Sequence, residues 1–219
     1  MSDVETTNEI SEVVKHAVLP NRTPIVAPEI ALMLDIETLD LGPTPIITQV
    51  ALYGLDLGED TILESHHYHF YPIKPQMDLL PARTFSVDTL VWWMEQGEEA
   101  RSRIKMSTDD DFETMPALLN GLVATFNHLT NRGTRPYELW ARGPQFDVVA
   151  VETLMKQCDV KIPWKYDTVR DLRTLMALAG LNARDVIEPA GFIKHAANWD
   201  VKFQFECLRE ARRLLRAIS

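Results

Sequence analysis

The pattern of apolar and polar residues begins with a run that predicts a strand buried on both faces. Five apolar residues, 30–34, are followed by Asp35 and Glu37. A short continuous run of this kind is typical of a central strand. Side chains two apart on a strand point to the same side, so the two carboxylates are expected to project together where the strand ends.

Two more strands are predicted after short links, over residues 46–55 and 62–71. The link 40–45 contains one glycine and two prolines, which are turn-forming residues. Three strands in succession with short connections favour an antiparallel meander. A further short strand is predicted over residues 137–141.

Helical spacing and capping residues predict five main helices in the rest of the chain. Their expected limits are Ser86 to Glu95, Thr114 to about Leu129, about 146–157, 169–179 with Thr168 as the cap, and a last helix from the region of Asp200 to the C-terminus. Residues 72–81, which contain three prolines, and the acidic stretch 106–113 are expected to be loops.

Composition limits the classes of function that the chain can have. The 219 residues are 46% hydrophobic and carry a formal net charge of −10, which suits one substantial globular core. The negative charge argues against a basic surface that coats nucleic acid, but not against an enzyme that neutralises phosphate locally. Cys158 and Cys207 have no CxxC spacing, which argues against a thiolate zinc site and favours a reducing cytoplasm.

The first 29 residues differ from the remainder of the chain. They contain early acids, three late prolines and no long apolar run, so they predict a partly ordered leader and neither a signal peptide nor a membrane span. Residues 30–219 are expected to form a single domain.

Three histidines in the predicted third strand, His66, His67 and His69, are a weak candidate metal site. His67 and His69 share a face of the strand. No cysteine or third close ligand accompanies them, so a half-exposed strand surface is the favoured interpretation.

Four acids and one histidine form a stronger constellation: Asp35, Glu37, Asp147, Asp200 and His195. Each alone has a plainer explanation, such as the helix dipole for an acid at a helix start. Together, four carboxylates can hold a pair of Mg²⁺ or Mn²⁺ ions, and a histidine that titrates near neutrality can accept a proton from water. These are the parts needed to hydrolyse a phosphodiester.

The order of these motifs resembles the DEDDh subgroup of the DnaQ-like 3′–5′ exonucleases. The matching stretches are Asp-x-Glu-Thr within 34–38, the acid that ends 143–147, and His-x4-Asp at 195–200. The helix with Trp92 and Trp93 and the segment 170–173 also resemble the small phage exonuclease A and exonuclease VIII-like branch. The resemblance covers roughly residues 30–215. It implies an α/β, RNase H-like fold with a mixed central sheet of about five strands flanked by helices.

The resemblance also implies a role for each member of the constellation. The acids matching Asp35, Glu37 and Asp200 would bind a first divalent ion. The acid matching Asp35 would also contact a second ion, and the one matching Asp147 would help through water. The residue matching His195 would be the general base.

Further residues are candidate substrate contacts. The resemblance implies that Thr38 and Leu39 meet the terminal nucleotide, one through its backbone and the other as a wedge. Adjacent residues on a helix diverge by about 100°, so Trp92 and Trp93 cannot both face the core. One of them, with Trp93 as the candidate, is expected to stack on a base, and packing alone is an equal alternative. Arg142 is a candidate phosphate contact, with a surface salt bridge as the alternative.

A cluster of charges at 170–173 has two interpretations. Asp171, Arg170 and Arg173 are read first as a local ion-pair network and second as support for the site.

We therefore expect a metal-dependent 3′–5′ exonuclease that releases nucleoside 5′-monophosphates from single-stranded or frayed ends of DNA or RNA. One alternative is a non-catalytic end-binding or proofreading-type subunit that acts with a partner. Another is an RNase H-type endonuclease. A homodimer and a cytoplasmic location, in a bacterium or a phage-infected host, are further expectations.

Overall fold

The computed structural model describes residues 26–79, 82–105 and 114–218. The expected leader therefore lies outside the described residues except for its last four, and the expected loop 106–113 lies outside them entirely. Within the described ranges, no helix is both long and apolar enough to cross a membrane.

A mixed sheet of five strands forms the centre of the fold. The strands are β1 (Ile30–Thr38), β2 (Ile47–Asp56), β3 (Thr61–Phe70), β4 (Tyr137–Ala141) and β5 (Val169–Asp171). Their order is β3-β2-β1-β4-β5. The first three pair antiparallel, while β4 pairs parallel with β1 and β5 parallel with β4. The predicted meander and the predicted mixed α/β sheet are both confirmed.

Seven α-helices lie within the described residues. They are α1 (Ile73–Met77), α2 (Val87–Glu95), α3 (Glu98–Arg101), α4 (Met115–Leu129), α5 (Asp147–Gln157), α6 (Leu172–Leu178) and α7 (Ala197–Ile218). Two short 3₁₀ segments, Tyr166–Thr168 and Ala183–Asp185, lie on either side of α6.

Capping side chains begin two of these helices where the sequence predicts. Ser86 Oγ accepts a hydrogen bond from the backbone N–H of Thr89 at 3.0 Å. Thr114 Oγ1 accepts one from Ala117 at 3.3 Å. Each cap satisfies an N–H group that has no partner within its helix.

Two local predictions are wrong. Helix α1 occupies part of the stretch expected to be a loop, because Pro75 lies in its first turn, where a missing N–H costs nothing. Thr168 does not cap a helix over 169–179. Residues Val169–Asp171 instead pair with the edge of β4, and Asp171 caps α6 by accepting a hydrogen bond from the N–H of Arg173 at 2.9 Å.

The core lies on both faces of β1, as its apolar run predicts. Ile30, Leu32 and Leu34 pack with α4 and α5 on one face. Ala31 and Met33 pack with α6 and α7 on the other. Each large aliphatic side chain in these layers contributes about 2 kcal/mol by leaving water. The alternation also fixes which face the acids take, since Asp35 and Glu37 continue the series that faces α7.

Candidate active site

Three carboxylates meet where the end of β1 faces the start of α7. Asp35 and Glu37 come from the strand, and Asp200 lies in the first turn of the helix. One carboxylate oxygen from each lies within 4.8 Å of the others. No other group of three or more potential ligands this close occurs among the described residues, so the histidines of β3 do not form one there.

The electrostatics of this cluster favour a bound cation. Burial, followed by repulsion from Asp200 and Asp147, raises the pKa of both Asp35 and Glu37 well above the usual range. Burial raises the pKa of Asp200 to about 6. Its Oδ2 atom is buried and accepts no hydrogen bond from the described residues. Oxygen donors that are close, at least partly buried and mutually repelling fit a divalent metal ion, which would offset their charge.

Gln204 holds one of these acids in place and was not anticipated from the sequence. It lies one turn after Asp200 on α7, and its Nε2 atom donates to Asp35 Oδ1 at 2.6 Å. This hydrogen bond favours the ionised form and lowers the pKa of Asp35, against the larger effect of burial. The only signal in the sequence is the four-residue spacing from Asp200, which places both side chains on one helix face.

Asp147 lies beside the cluster at the first residue of α5. Strands β1 and β4 run parallel, so their carboxyl ends meet at the same edge of the sheet and bring this acid towards Asp35 and Glu37. Burial raises the pKa of Asp147 to about 7, and hydrogen bonding at Gly143 and the charges of Arg173 and Arg142 act in the opposite direction. Asp147 is close enough to affect both strand acids, but it is outside the group of three.

The charged residues around 170–173 separate into different roles. Arg170 forms an ion pair with Glu138 at 3.1 Å, and Asp171 caps α6. Arg173 reaches the site. Its Nη1 atom lies next to Gly143, where it would be 3.6 Å from a Cβ atom built on that glycine, and its charge acts on Asp147. The second interpretation of this cluster, as support for the site, therefore describes Arg173, whereas Arg170 belongs to a local ion pair.

His195 precedes α7 in an uncommon backbone conformation. Its φ angle is +63°, a left-handed value that non-glycine residues rarely adopt. Its ring packs edge-on against Trp92, with centroids 4.7 Å apart. Burial and then the charge of Lys194 lower the pKa of His195, so the imidazole is predominantly neutral at pH 7 and able to accept a proton.

The two tryptophans of α2 divide between core and surface, and the candidate chosen from the sequence is wrong. Trp93 is 3% exposed, and its Nε1 atom donates to the backbone oxygen of Thr38 at 2.8 Å. Its ring is therefore packed and anchors α2 to the end of β1. Trp92 is 39% exposed and is the one that borders the site.

The leucine expected to act as a wedge is also buried. Leu39 is 3% exposed and packs with Ile46, Ile73 and Trp93, so its side chain presents no surface to a nucleotide. Leu41, two residues later, is 79% exposed. Thr38 is buried, and its hydroxyl donates to the backbone oxygen of Asp40 at 2.7 Å.

The histidines of β3 pack against aromatic neighbours. His67 is buried, with its Nε2 atom 3.1 Å from the hydroxyl of Tyr71, and burial lowers its pKa to about 3. His66 stacks on Tyr53 with centroids 4.4 Å apart. The half-exposed surface expected for these residues is wrong for His67, which belongs to the core.

Residues 30–211 match the domain family described as the 3′–5′ exoribonuclease Rv2179c-like domain. The chain belongs to this family. The protein is thus a 3′–5′ exonuclease, a hydrolase with a nucleic acid substrate.

Individual relatives of this Rv2179c-like domain are more distant. The exodeoxyribonuclease of Enterobacteria phage T4 is 26% identical over 184 residues, which are 80% of this chain and 70% of the phage protein. The nuclease domain of 3′hExo, a DEDDh family member bound to rAMP, has a TM-score of 0.52 at 15% identity, covering 87% of this chain and 93% of that one.

An ExoI/SSB-Ct complex also has a TM-score of 0.52 at 15% identity. It covers 87% of the Rv2179c-like chain, which spans only 43% of the ExoI chain. These likenesses confirm the predicted fold.

Proposed function

We propose that the protein removes nucleoside 5′-monophosphates one at a time from the 3′ end of single-stranded or frayed nucleic acid, in a reaction that depends on two divalent metal ions. The observation that carries this proposal is the group formed by the buried Asp35 and the partly buried Glu37 and Asp200, with one oxygen of each within 4.8 Å of the others. His195 lies beside it, just before the helix that supplies Asp200.

The acids would hold the metal ions. Asp35, Glu37 and Asp200 would bind the first, and Asp35 would contact the second, with Asp147 helping through water. All-oxygen donors favour Mg²⁺ or Mn²⁺ over softer metals. When bound, such a pair of ions lowers the pKa of an attacking water and stabilises negative charge on the scissile phosphate.

His195 would act as the general base. A neutral ring nitrogen accepts one proton from the water as the water oxygen bonds to phosphorus and the bond from phosphorus to the 3′ oxygen breaks. The lowered pKa of His195 keeps the base form available at neutral pH. The leaving 3′ oxygen takes up a proton from solvent, and His195 then returns the proton that it accepted to solvent.

Exposed side chains around the acids would orient the terminal nucleotide. Trp92 offers a ring face next to His195 for stacking on a base, and the exposed Leu41 replaces Leu39 as the candidate wedge. Arg142, whose charge acts on both Asp147 and Asp200, would contact a phosphate, and Thr38 would contribute through its backbone.

The choice between DNA and RNA defines the first experiment. The family is described by an exoribonuclease activity and the phage relative by an exodeoxyribonuclease activity, so both polymers need testing. Single-stranded DNA and RNA of one sequence, labelled at the 3′-terminal nucleotide, would be digested with Mg²⁺ or Mn²⁺ by the wild type, Asp35→Ala and His195→Ala.

Release of labelled mononucleotide by the wild type, reduced by about 10² or more in both variants, is the expected result. Internal fragments would instead indicate an endonuclease. Binding of 3′ ends without any release would favour the non-catalytic end-binding subunit.

Self-association into a homodimer and a cytosolic location stay predictions, to be checked by light scattering and by fractionation.

A further inference from the structure

A fully buried glutamine connects the sheet to the segment that carries His195. Gln49 lies on β2 directly opposite Glu37, so its side chain shares the face on which the acids lie. Its Oε1 atom accepts a hydrogen bond from the backbone N–H of Ala197 at 3.3 Å. Its Nε2 atom donates to the backbone oxygen of His195 at 3.5 Å. One amide thus holds two backbone groups on either side of the start of α7.

Two further residues set the orientation of that amide. The hydroxyl of Tyr68, on β3, donates to Gln49 Oε1 at 3.1 Å. Arg103, just after α3, donates from Nη1 to the same hydroxyl at 2.7 Å. An arginine only donates, so the tyrosine hydroxyl accepts from it and has its proton free for the glutamine oxygen. The amide of Gln49 is therefore fixed with its nitrogen towards His195.

The backbone of His195 needs such support. A left-handed φ angle in a non-glycine residue costs free energy and persists only where its surroundings hold it. We propose that Gln49, oriented by Tyr68 and Arg103, is a positioning residue that holds His195 where it can accept the proton. This inference rests on the proposed role of His195 as the base.

The consequence is a specific kinetic defect when the hydrogen bonds are removed. Gln49→Leu keeps a buried side chain but frees the backbone of His195 and Ala197. Tyr68→Phe removes only the hydroxyl that orients Gln49. Because a small misplacement of a base slows the reaction without removing substrate contacts, we expect kcat to fall by about 100-fold in Gln49→Leu and about tenfold in Tyr68→Phe. We expect KM to change by less than about threefold in both.

The matched control is Tyr71→Phe. This change also removes a tyrosine hydroxyl, but one that is fully buried and pairs with His67 on the other side of the sheet. It tests whether any loss of a buried hydroxyl near β3 slows the enzyme, and we expect its kcat to stay within about twofold of the wild type.

The test measures kcat, KM and the melting temperature for each variant in the wild-type and His195→Ala backgrounds, with hydrogen exchange of residues 195–200 in the metal-free proteins. If Gln49 acts through His195, Tyr68→Phe lowers kcat in the wild type but changes it by less than about twofold in His195→Ala. Hydrogen exchange should also be faster over 195–200 in Gln49→Leu and Tyr68→Phe.

Equal losses of kcat in the two backgrounds, or no loss from Gln49→Leu, would overturn the positioning role while leaving the proposed base intact. A His195→Ala variant as active as the wild type would instead overturn the base, and with it this inference. A loss in Tyr71→Phe as large as in Tyr68→Phe would show a purely structural effect and also overturn the role.

Discussion

At the scale of single residues, two neutral amides form hydrogen bonds at the site beside its acids. Gln204 donates to Asp35 at 2.6 Å, and Gln49 holds the backbone around His195. Hydrogen bonds to ligand groups fix their orientation, and residues that provide them often affect metal affinity strongly. The acidic motif is therefore incomplete as a description of the site.

Gln204→Leu tests whether the acid cluster needs the hydrogen bond from this amide to bind metal. Without its donor, Asp35 loses both its orientation and an interaction that favours the ionised form. We therefore expect the affinity for Mg²⁺ or Mn²⁺ to fall by about 10- to 100-fold. The measurement is exonuclease rate against metal concentration. Gln157→Leu, which removes an amide on α5 bonded to the backbone oxygen of Ala82, is the control, and an equal shift there would contradict the explanation.

The acids and His195 could be predicted from the sequence, whereas the amides could not. Asp35 and Glu37 follow a run with an unmistakable strand pattern, and His195 precedes Asp200 at a spacing that carries chemistry. A glutamine has no such pattern, because Gln49 matters only where β2 faces the start of α7. The assignments of Trp93 and Leu39 failed for a related reason, since spacing along the chain does not tell which of two neighbouring side chains is buried.

At the scale of elements, helix α2 is attached to the end of β1. Ser86 caps its first turn, and the Nε1 atom of Trp93 donates to the backbone oxygen of Thr38, next to the acidic cluster. The neighbouring ring of Trp92 lies 5.1 Å from that of Trp93 and packs edge-on against His195. The helix thus couples the strand end to the exposed ring that would meet the substrate.

The two tryptophans should respond differently to mutation. Trp93→Phe loses one buried hydrogen bond, so we expect about 1 kcal/mol less stability and a melting temperature lower by about 2–4 °C. Trp92→Ala removes a half-exposed ring, so we expect little change in melting temperature but a KM several times higher, since base stacking contributes about 1–3 kcal/mol. Thermal unfolding and initial-rate kinetics check both, and Trp92→Phe should restore most of the affinity. A normal KM in Trp92→Ala would remove Trp92 from the substrate site.

Elements defined by their own residues were predictable, and those defined by distant pairing were not. The caps at Ser86 and Thr114 are local signals and hold in the structure. Val169–Asp171 forms a strand only because the edge of β4 is available, and that information is absent from the segment itself. Helix α1 was missed because prolines suggest loops, although a proline in the first helical turn is well tolerated.

At the scale of the whole molecule, the fold brings four acids together at one edge of the sheet in a protein that already carries a net charge of −10. Parallel pairing of β1 with β4 brings Asp147 to the edge where Asp35 and Glu37 end, and α7 closes over it with Asp200. Without a cation, this arrangement costs stability, because the folded state concentrates charges that the unfolded chain separates.

The cost should appear as a dependence of stability on pH and metal. The folded-state pKa is raised to about 7 for Asp147 and about 6 for Asp200, and an acid with a raised pKa contributes stability that is lost as pH rises through that value. We therefore expect the metal-free protein to lose stability as pH rises from about 4, near the usual pKa of an aspartate, to about 7.

Mg²⁺ or Mn²⁺ should reverse that loss, because it binds the ionised acids of the folded state. At a concentration 100 times its dissociation constant, a ligand contributes about 2.7 kcal/mol, or roughly 5–10 °C in melting temperature for a chain of this size. The gain should be large at pH 8 and small at pH 5.5, where protons already neutralise the cluster. Thermal unfolding with and without metal measures it, and Asp35→Asn should be more stable than the wild type without metal but gain less from its addition. A gain independent of pH and of Asp35 would show that the metal acts elsewhere on the protein.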